Sequence, residues 1–299
     1  MRERRRADDR RRATARAWQR TLPRPVQVVS IVLLCAFALA PVAFMVLSSV
    51  SPDIAVASGD LFPDELALGN YVQLWSTLDL ANGLMNSLIV ALSAAVLSTA
   101  FAVGTAYCLV RFTFVGRRSF LRSLLGLQTI PSALLLLPLF VVFFSVDSYL
   151  GIQLVGTRTG MVITYLTFAL PFATWVMVTY LRTIPLSLEE AGLIDGLTRF
   201  GALRRIVVPL AFPGMVVATI FSFLLGWNDV LFASILSSPE TRTAATQLSA
   251  FAQTQEGGAI PLYGQLMGAS VVCAVPVVVL YLVFQRYLVG GLTSGGVKG

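Results

Sequence analysis

The stretch 84-LMNSLIVALSAAVLSTAFAVGTAYCLV-110 carries no charged side chain from end to end. A helix rises about 1.5 Å per residue and needs about 20 apolar residues to cross a hydrocarbon core, so this run is long enough to span a membrane. Small residues crowd it: Ala91, Ser93, Ala94, Ala95, Ser98, Thr99, Ala102, Gly104 and Thr105. Lipid supplies no hydrophobic drive between helices, and close backbone approach through small side chains takes its place. The run therefore predicts a membrane span packed inside a bundle.

Five more apolar runs lie around it: Val26–Val50 with Pro41 inside, Phe120–Phe144 with Pro131 and Pro138, Gly160–Leu181 with Pro171, Leu210–Trp227 with an extension to Leu236 left open, and Gly264–Phe284 with Pro276. The first exceeds the roughly 7–15 residues of a signal-peptide core and reads as an uncleaved span. The expected fold is all-α, a polytopic bundle of six transmembrane helices. It divides into a basic tail 1–25, a first span 26–50, a five-span core 84–289 and a tail 290–299. The internal prolines fit a pore that changes shape, and they also fit a rigid bundle. Composition agrees with a lipid solvent: 12% of residues are charged and 56% are hydrophobic, where a soluble domain carries roughly 25% charged residues.

Basic residues set the orientation, because cytoplasmic connections are enriched in them. Of the 22 Lys and Arg, ten lie before the first span. Arg111, Arg117, Arg118 and Arg122 lie between the second and third, Arg182, Arg199, Arg204 and Arg205 between the fourth and fifth, and Arg286 and Lys298 after the sixth. Only Arg158 and Arg242 fall on the opposite side, where the first loop carries Asp53, Asp60, Asp64, Glu65 and Asp79 without a base. Both termini are expected in the cytoplasm. This bias accounts for the net charge of +7 without nucleic acid as a partner. The N-terminal arginines serve as a topological anchor or touch anionic membrane lipid.

The missing residue types exclude chemistry. The chain has no histidine, which removes imidazole base catalysis and imidazole metal ligation. Lys298 is its only lysine and stands next to the last residue, so no phosphate-binding loop with a lysine is present. Cys35, Cys108 and Cys273 sit far apart inside apolar runs and read as packing residues. No acid or base falls mid-span; Arg111 at a cytoplasmic end and Asp229 at an external end come nearest. Ion-coupled carriers usually place an ionisable group near the bilayer centre. A transporter of this sequence would take its energy from another chain, and no pair of groups suggests an enzyme.

The connection between the fourth and fifth spans reads 184-IPLSLEEAGLIDGLTRFGALRRIVVPLAFPG-214. Ser187 and Glu190 have capping-box spacing, which predicts a short helix from about Leu188 to Ile194 with Glu189 and Glu190 in its first turn. Gly196 can end it in a left-handed conformation. A basic segment follows over Arg199–Val208, and Pro209 can start the fifth span. Local physics admits either a stiff helix offered to another protein or an ordinary connecting loop.

Glu190-Ala191-Gly192, Asp195-Gly196, Ile206 and Pro209 keep the spacing of the EAA loop, and the chain resembles the permeases of binding-protein-dependent ABC importers. Gly192 replaces the usual second alanine. Asn86-Ser87-Leu88, Ala106-Tyr107, Arg111-Phe112, Gly226-Trp227-Asn228-Asp229, Gln285-Arg286-Tyr287, Gly291-Leu292-Thr293 and Val297-Lys298-Gly299 resemble the carbohydrate-type, maltose-importer class, specifically its second permease. Asp229 stands where that class often has glutamate, and Gly290 where a basic residue is common.

The resemblance implies a partner permease, a dimeric ATPase that carries the ATP and Mg with no cofactor on this chain, and an extracytoplasmic solute-binding protein. It implies that loop 183–209 docks on the ATPase through Glu189, Glu190, Ala191, Gly192, Asp195, Gly196, Ile206 and Pro209, with Thr293, Lys298 and Gly299 reaching the ATPase interface. The expected solute is a di- or oligosaccharide. Glycerol 3-phosphate, an amino sugar, or a non-transporting scaffold or sensor role are the alternatives. Gln128, Tyr165, Trp175 and Asn228 are the candidates for the solute path.

Overall fold

The computed structural model describes residues 23–60, 65–255 and 262–294, all of it helix, turn or loop apart from a single bridge between Gly156 and Ser237. The tail before Pro23, together with Asp64, Lys298 and Gly299, lies outside the described residues, and of Thr293 only the backbone is described. Helix α1 (Arg24–Ser49) leads through the short α2 (Asp53–Ser58) and α3 (Asn70–Thr77) to α4 (Leu80–Arg111) and α5 (Arg117–Leu127). A 3₁₀ turn, Ser132–Leu135, opens α6 (Leu136–Leu150), which is followed by α7 (Arg158–Leu181) and α8 (Leu186–Ile194). Next come α9 (Arg199–Trp227), the short α10 (Leu231–Leu236), α11 (Ala244–Gln255) and α12 (Tyr263–Ser294). Among the described residues six segments are long and apolar enough to cross a membrane: α1, α4, Ser132–Leu150, α7, α9 and the Tyr263–Tyr287 part of α12.

The centre of the bundle is α4 against α7 and α9. Ala91, Ala94, Ala95, Ser98, Ala102 and Ala106 of α4 are fully buried, and Ala173, Met177, Ala211 and Ala218 meet this face. Approach is close: a Cβ on Gly226 would stand 3.3 Å from the Ala91 Cα, and the Thr99 and Thr219 hydroxyls lie 2.9 Å apart. The small-residue stripe thus does what its composition predicts, with one correction: Gly104 faces outward, with nothing near it.

One expected span differs. The run 120–144 is broken, and its spanning part is Ser132–Leu150. Proline lacks an N–H and pushes the residue before it away from helical geometry, so α5 ends and the chain turns over Gln128–Pro131 before α6 resumes. The fifth span runs to Trp227 as expected, and the extension left open does not continue it. Helix α9 stops at Trp227, and the chain continues as α10, whose last residue Leu236 accepts from the Gly156 amide at 2.8 Å. Asp229 caps α10 by accepting from the Phe232 and Ala233 amides, both at 3.0 Å. It also accepts from the hydroxyl of buried Tyr165, about two helical turns into α7. Asp229 therefore follows the end of α9, partly buried, and ties that end to α7.

The external end is tied by Asn86. Its Nδ2 donates to the Glu240 and Arg242 carbonyls at 3.0 and 2.9 Å, and its Oδ1 accepts from Arg158 Nε at 2.7 Å. Ser87 accepts from the Ala244 amide at 2.9 Å. Arg158 and Arg242 are thereby gathered at one end, and Arg111 and Arg199 at the other. A Cβ on Gly160 would fall 2.1 Å from the Leu154 carbonyl oxygen, a backbone atom that cannot rotate away. Gly160→Ala is expected to cost about 2 kcal/mol or more by displacing the 152–157 connection. A melting temperature of the detergent-solubilised complex equal to that of the parent would refute this.

Candidate coupling site and membrane cavity

The cytoplasmic connection folds as helix–turn–helix. Pro185, not Ser187, is the N-cap of α8, and no side chain caps it, so the predicted capping box does not form. The helix ends as expected at Gly196, with φ +88. The Leu197 amide donates to the Gly192 carbonyl at 2.9 Å and the Gly196 amide to Leu193 at 3.1 Å, the paired bonds of a Schellman ending. Thr198 then caps α9 by accepting from the Gly201 amide at 3.1 Å. A Cβ on Gly192 would stand 2.5 Å from Ile206 Cδ1 and 3.2 Å from Leu197 Cδ1. Gly192 and Ile206, two of the motif positions, therefore form the contact that closes the two helices. Leu203–Val207, which contains Ile206, is a π-helical turn inside α9, and Pro209 follows it on the exposed side.

The two adjacent acids divide. Glu190 is exposed, whereas Glu189, grouped with the docking residues in the sequence, is 4% exposed and turned into the bundle. Its Oε1 accepts from Arg111 Nε at 2.5 Å and its Oε2 from the Tyr107 hydroxyl at 3.1 Å. Arg111 Nη2 also donates to the Ile184 carbonyl at 3.0 Å. Phe112 completes the knot, edge-on to Tyr107, with the Arg199 guanidinium 5.3 Å from its ring centre. The last turn of α4 is thereby locked to both cytoplasmic helices. Sequence reading missed Tyr107 and Arg111 as partners of this loop, although both belong to motifs at the end of the second span.

Outward, the loop shows apolar surface next to charge. Ile194 is 86% exposed and Phe200 72%, with Leu186, Leu188 and Leu193 partly exposed beside Ala191, Glu190 and Asp195. Apolar side chains this bare, on a rigid element, mark an interaction surface. The rigidity depends on Gly196, since a β-branched residue is strained at positive φ. Gly196→Val is expected to lower recovery of the cytoplasmic partner about tenfold while leaving membrane insertion unchanged. Equal recovery in a detergent pull-down would contradict it.

The break in the third span and the end of the fifth face each other across a cavity of about 530 Å³. Gln128, Pro131, Tyr165, Phe168, Leu225 and Asp229 are among its walls. Irregular backbone is tolerated at membrane depth where it lines a cavity or is covered by protein, and broken helices recur at transport sites. Two of the four solute-path candidates, Gln128 and Tyr165, are brought together here. Trp175 is not: it is 42% exposed, beside Phe172. Asn228 is exposed and outside the walls, and its neighbour Asp229 takes the place expected of it. The missed signal is the aspartate three residues before Phe232, an N-cap spacing within the extension left open.

Residues 98–292 match the family described as the binding-protein-dependent transport system inner membrane component. The chain is 35% identical over 268 residues to the trehalose transport system permease protein SugB of Mycobacterium tuberculosis, covering 89% of this chain and 95% of that one. It is 30% identical over 284 residues to the trehalose/maltose transport system permease protein MalG of Thermococcus litoralis, covering 94% and 99%. Its fold is similar to that of a bacterial ABC transporter involved in import of the acidic polysaccharide alginate, with a TM-score of 0.71, 24% identity and coverage of 88% and 96%.

Proposed function

The chain belongs to the family of inner-membrane components of binding-protein-dependent transport systems, and from this premise we propose that it forms half of the path for a neutral di- or oligosaccharide. As an importer permease of the cell membrane it works with an ATPase and a solute-binding protein. The proposal adds a second, related permease, and places ATP and Mg on the ATPase chains and not on this one. What supports the docking reading is the capped α8–α9 pair, which presents Ile194, Phe200 and Glu190 outward and grips the innermost span inward through Glu189.

The solute class is supported by the cavity walls. Gln128, Tyr165 and Asp229 offer acceptors and donors suited to hydroxyl groups, and no basic side chain is among the cavity walls. A phosphate ester would find no counter-charge there, which favours a neutral sugar over glycerol 3-phosphate. The two relatives named above, carriers of trehalose and of trehalose or maltose, lend the same reading. The test is uptake into proteoliposomes holding the whole complex and its binding protein. Uptake of a neutral disaccharide that falls at least tenfold in Gln128→Ala or Asp229→Ala, with ATPase assembly intact, is expected. ATP hydrolysis without movement of any solute would instead revive the scaffold reading.

A further inference from the structure

A second cavity, of about 520 Å³, opens at the cytoplasmic end where α4, α5 and α7 meet. Arg117, Arg118 and Arg182 line it together with Thr113 and Ser119, and no acid is among its walls. Arg117 makes one long bond, at 3.4 Å, to the Phe112 carbonyl. The N-terminus of α5 also opens here: Gly116, with φ +90, caps it without a side-chain bond, and no acid occupies the first turn. The coupling-loop acid Glu189 is engaged by Arg111 and Tyr107 and is not among the walls. Three cations that line one cavity, with no acid beside them in its walls among the described residues, call for an anion.

The shape of the neighbouring surface says which anion. A groove of about 750 Å³ shares Leu109, Phe114 and Gly116 with the basic cavity and runs along the outer face of α4. Its floor is Ala100, Phe101, Gly104, Thr105 and Cys108, with Phe120 at its side. Gly104 is the notch: it faces outward, and a Cβ there would meet no atom within 4 Å. From Ala100 to Cys108 the groove extends about 12 Å along the helix, toward the bilayer interior. A basic pocket at the interface that continues into an apolar furrow fits a phosphate head group joined to an acyl chain.

We propose that this compound site holds one anionic phospholipid of the cytoplasmic leaflet, with its phosphate among Arg117, Arg118 and Arg182 and one chain laid over Gly104. The site bears on coupling. Arg117 and Arg118 open α5, just beyond the end of α4, and Arg182 follows α7; α4 and α7 are the two spans that lead into the knot around Arg111 and Ile184. A lipid seated there steadies the end of α4 from outside while Glu189 holds it from the loop.

The test is native mass spectrometry of the assembled importer, released from nanodiscs of equal phosphatidylglycerol and phosphatidylcholine. Selective retention of phosphatidylglycerol is expected. It should fall about tenfold in Arg118→Gln/Arg182→Gln, since each arginine near an anionic surface contributes of the order of one such step or less. Gly104→Leu, whose Cβ meets no atom within 4 Å and whose branch extends into the furrow, is expected to weaken retention several-fold with the charges unchanged. Equal retention of the two lipids, or retention unaltered in both variants, overturns the proposal. Displacement by millimolar glycerol phosphate overturns it in favour of a soluble phosphate compound. Loss of the sister permease in Gly104→Leu overturns it in favour of a subunit interface. None of these outcomes depends on which solute the importer carries.

Discussion

Glu189→Ala is expected to destabilise the cytoplasmic end of the bundle by about 3–5 kcal/mol, the usual penalty for stranding one member of a buried ion pair. The exposed side-chain fractions of Arg111 and Glu189 are 11% and 5%, so water replaces the lost carboxylate only in part. Tyr107 would lose its acceptor in the same step. Replacing both charges, as in Arg111→Met/Glu189→Leu, removes the stranded ion and should recover most of the stability, because buried pairs are often no better than apolar packing. The double variant separates two roles. If the knot only stabilised the fold, a refolded double variant would transport normally. If it transmits motion from the docked ATPase to α4, the double variant should assemble and hydrolyse ATP while solute uptake falls at least tenfold. Thermal unfolding and ATPase-coupled uptake of the same preparations measure both quantities. Uptake that simply follows stability across the parent and both variants would end the transmission model.

That knot also shows where sequence reading reaches its limit. Ser187 and Glu190 satisfy a local rule for starting a helix, yet Pro185 starts it, and the rule says nothing about which of two neighbouring acids turns inward. The choice is made by Arg111, 78 residues away in the chain. The turn at Gly196 was legible because its requirement is local: positive φ at the end of a short helix suits glycine and few others. Spans one, two, four and six were legible for a related reason, since long uninterrupted apolar runs need no tertiary information.

The break in span three was not legible, and the extension of span five could not be decided. Hydropathy averages across a break of three or four residues, and proline does not mark one reliably here. Pro41, Pro171 and Pro276 sit inside continuous helices, whereas Pro131 ends a turn. What differs is the surroundings. Around Pro131 the chain lines a cavity, and the freed backbone groups have somewhere to go. The half of the candidate site that depends on that break and on the end of span five, Asp229 above all, could not be assembled from spacing alone.

The outward face of the loop makes the complementary prediction. Glu190→Lys and Ile194→Asp should each leave the chain folded and inserted, because both side chains are exposed and Glu190 makes no contact with the knot. Their effect should fall on assembly. An apolar anchor that becomes desolvated at the centre of an interface is worth about 2–4 kcal/mol, and a charge placed there costs more than its removal. Reversing an acid that meets a cation turns attraction into repulsion. ATPase recovered with the permease in detergent is expected to fall about a hundredfold in Ile194→Asp and at least tenfold in Glu190→Lys. Glu189→Ala differs in kind, since it loosens the loop from inside and lowers the melting temperature, which the outward variants do not. Normal ATPase recovery with Ile194→Asp would mean that the exposed apolar face of α8 is not where the energy source docks. The knot would then have no motor behind it.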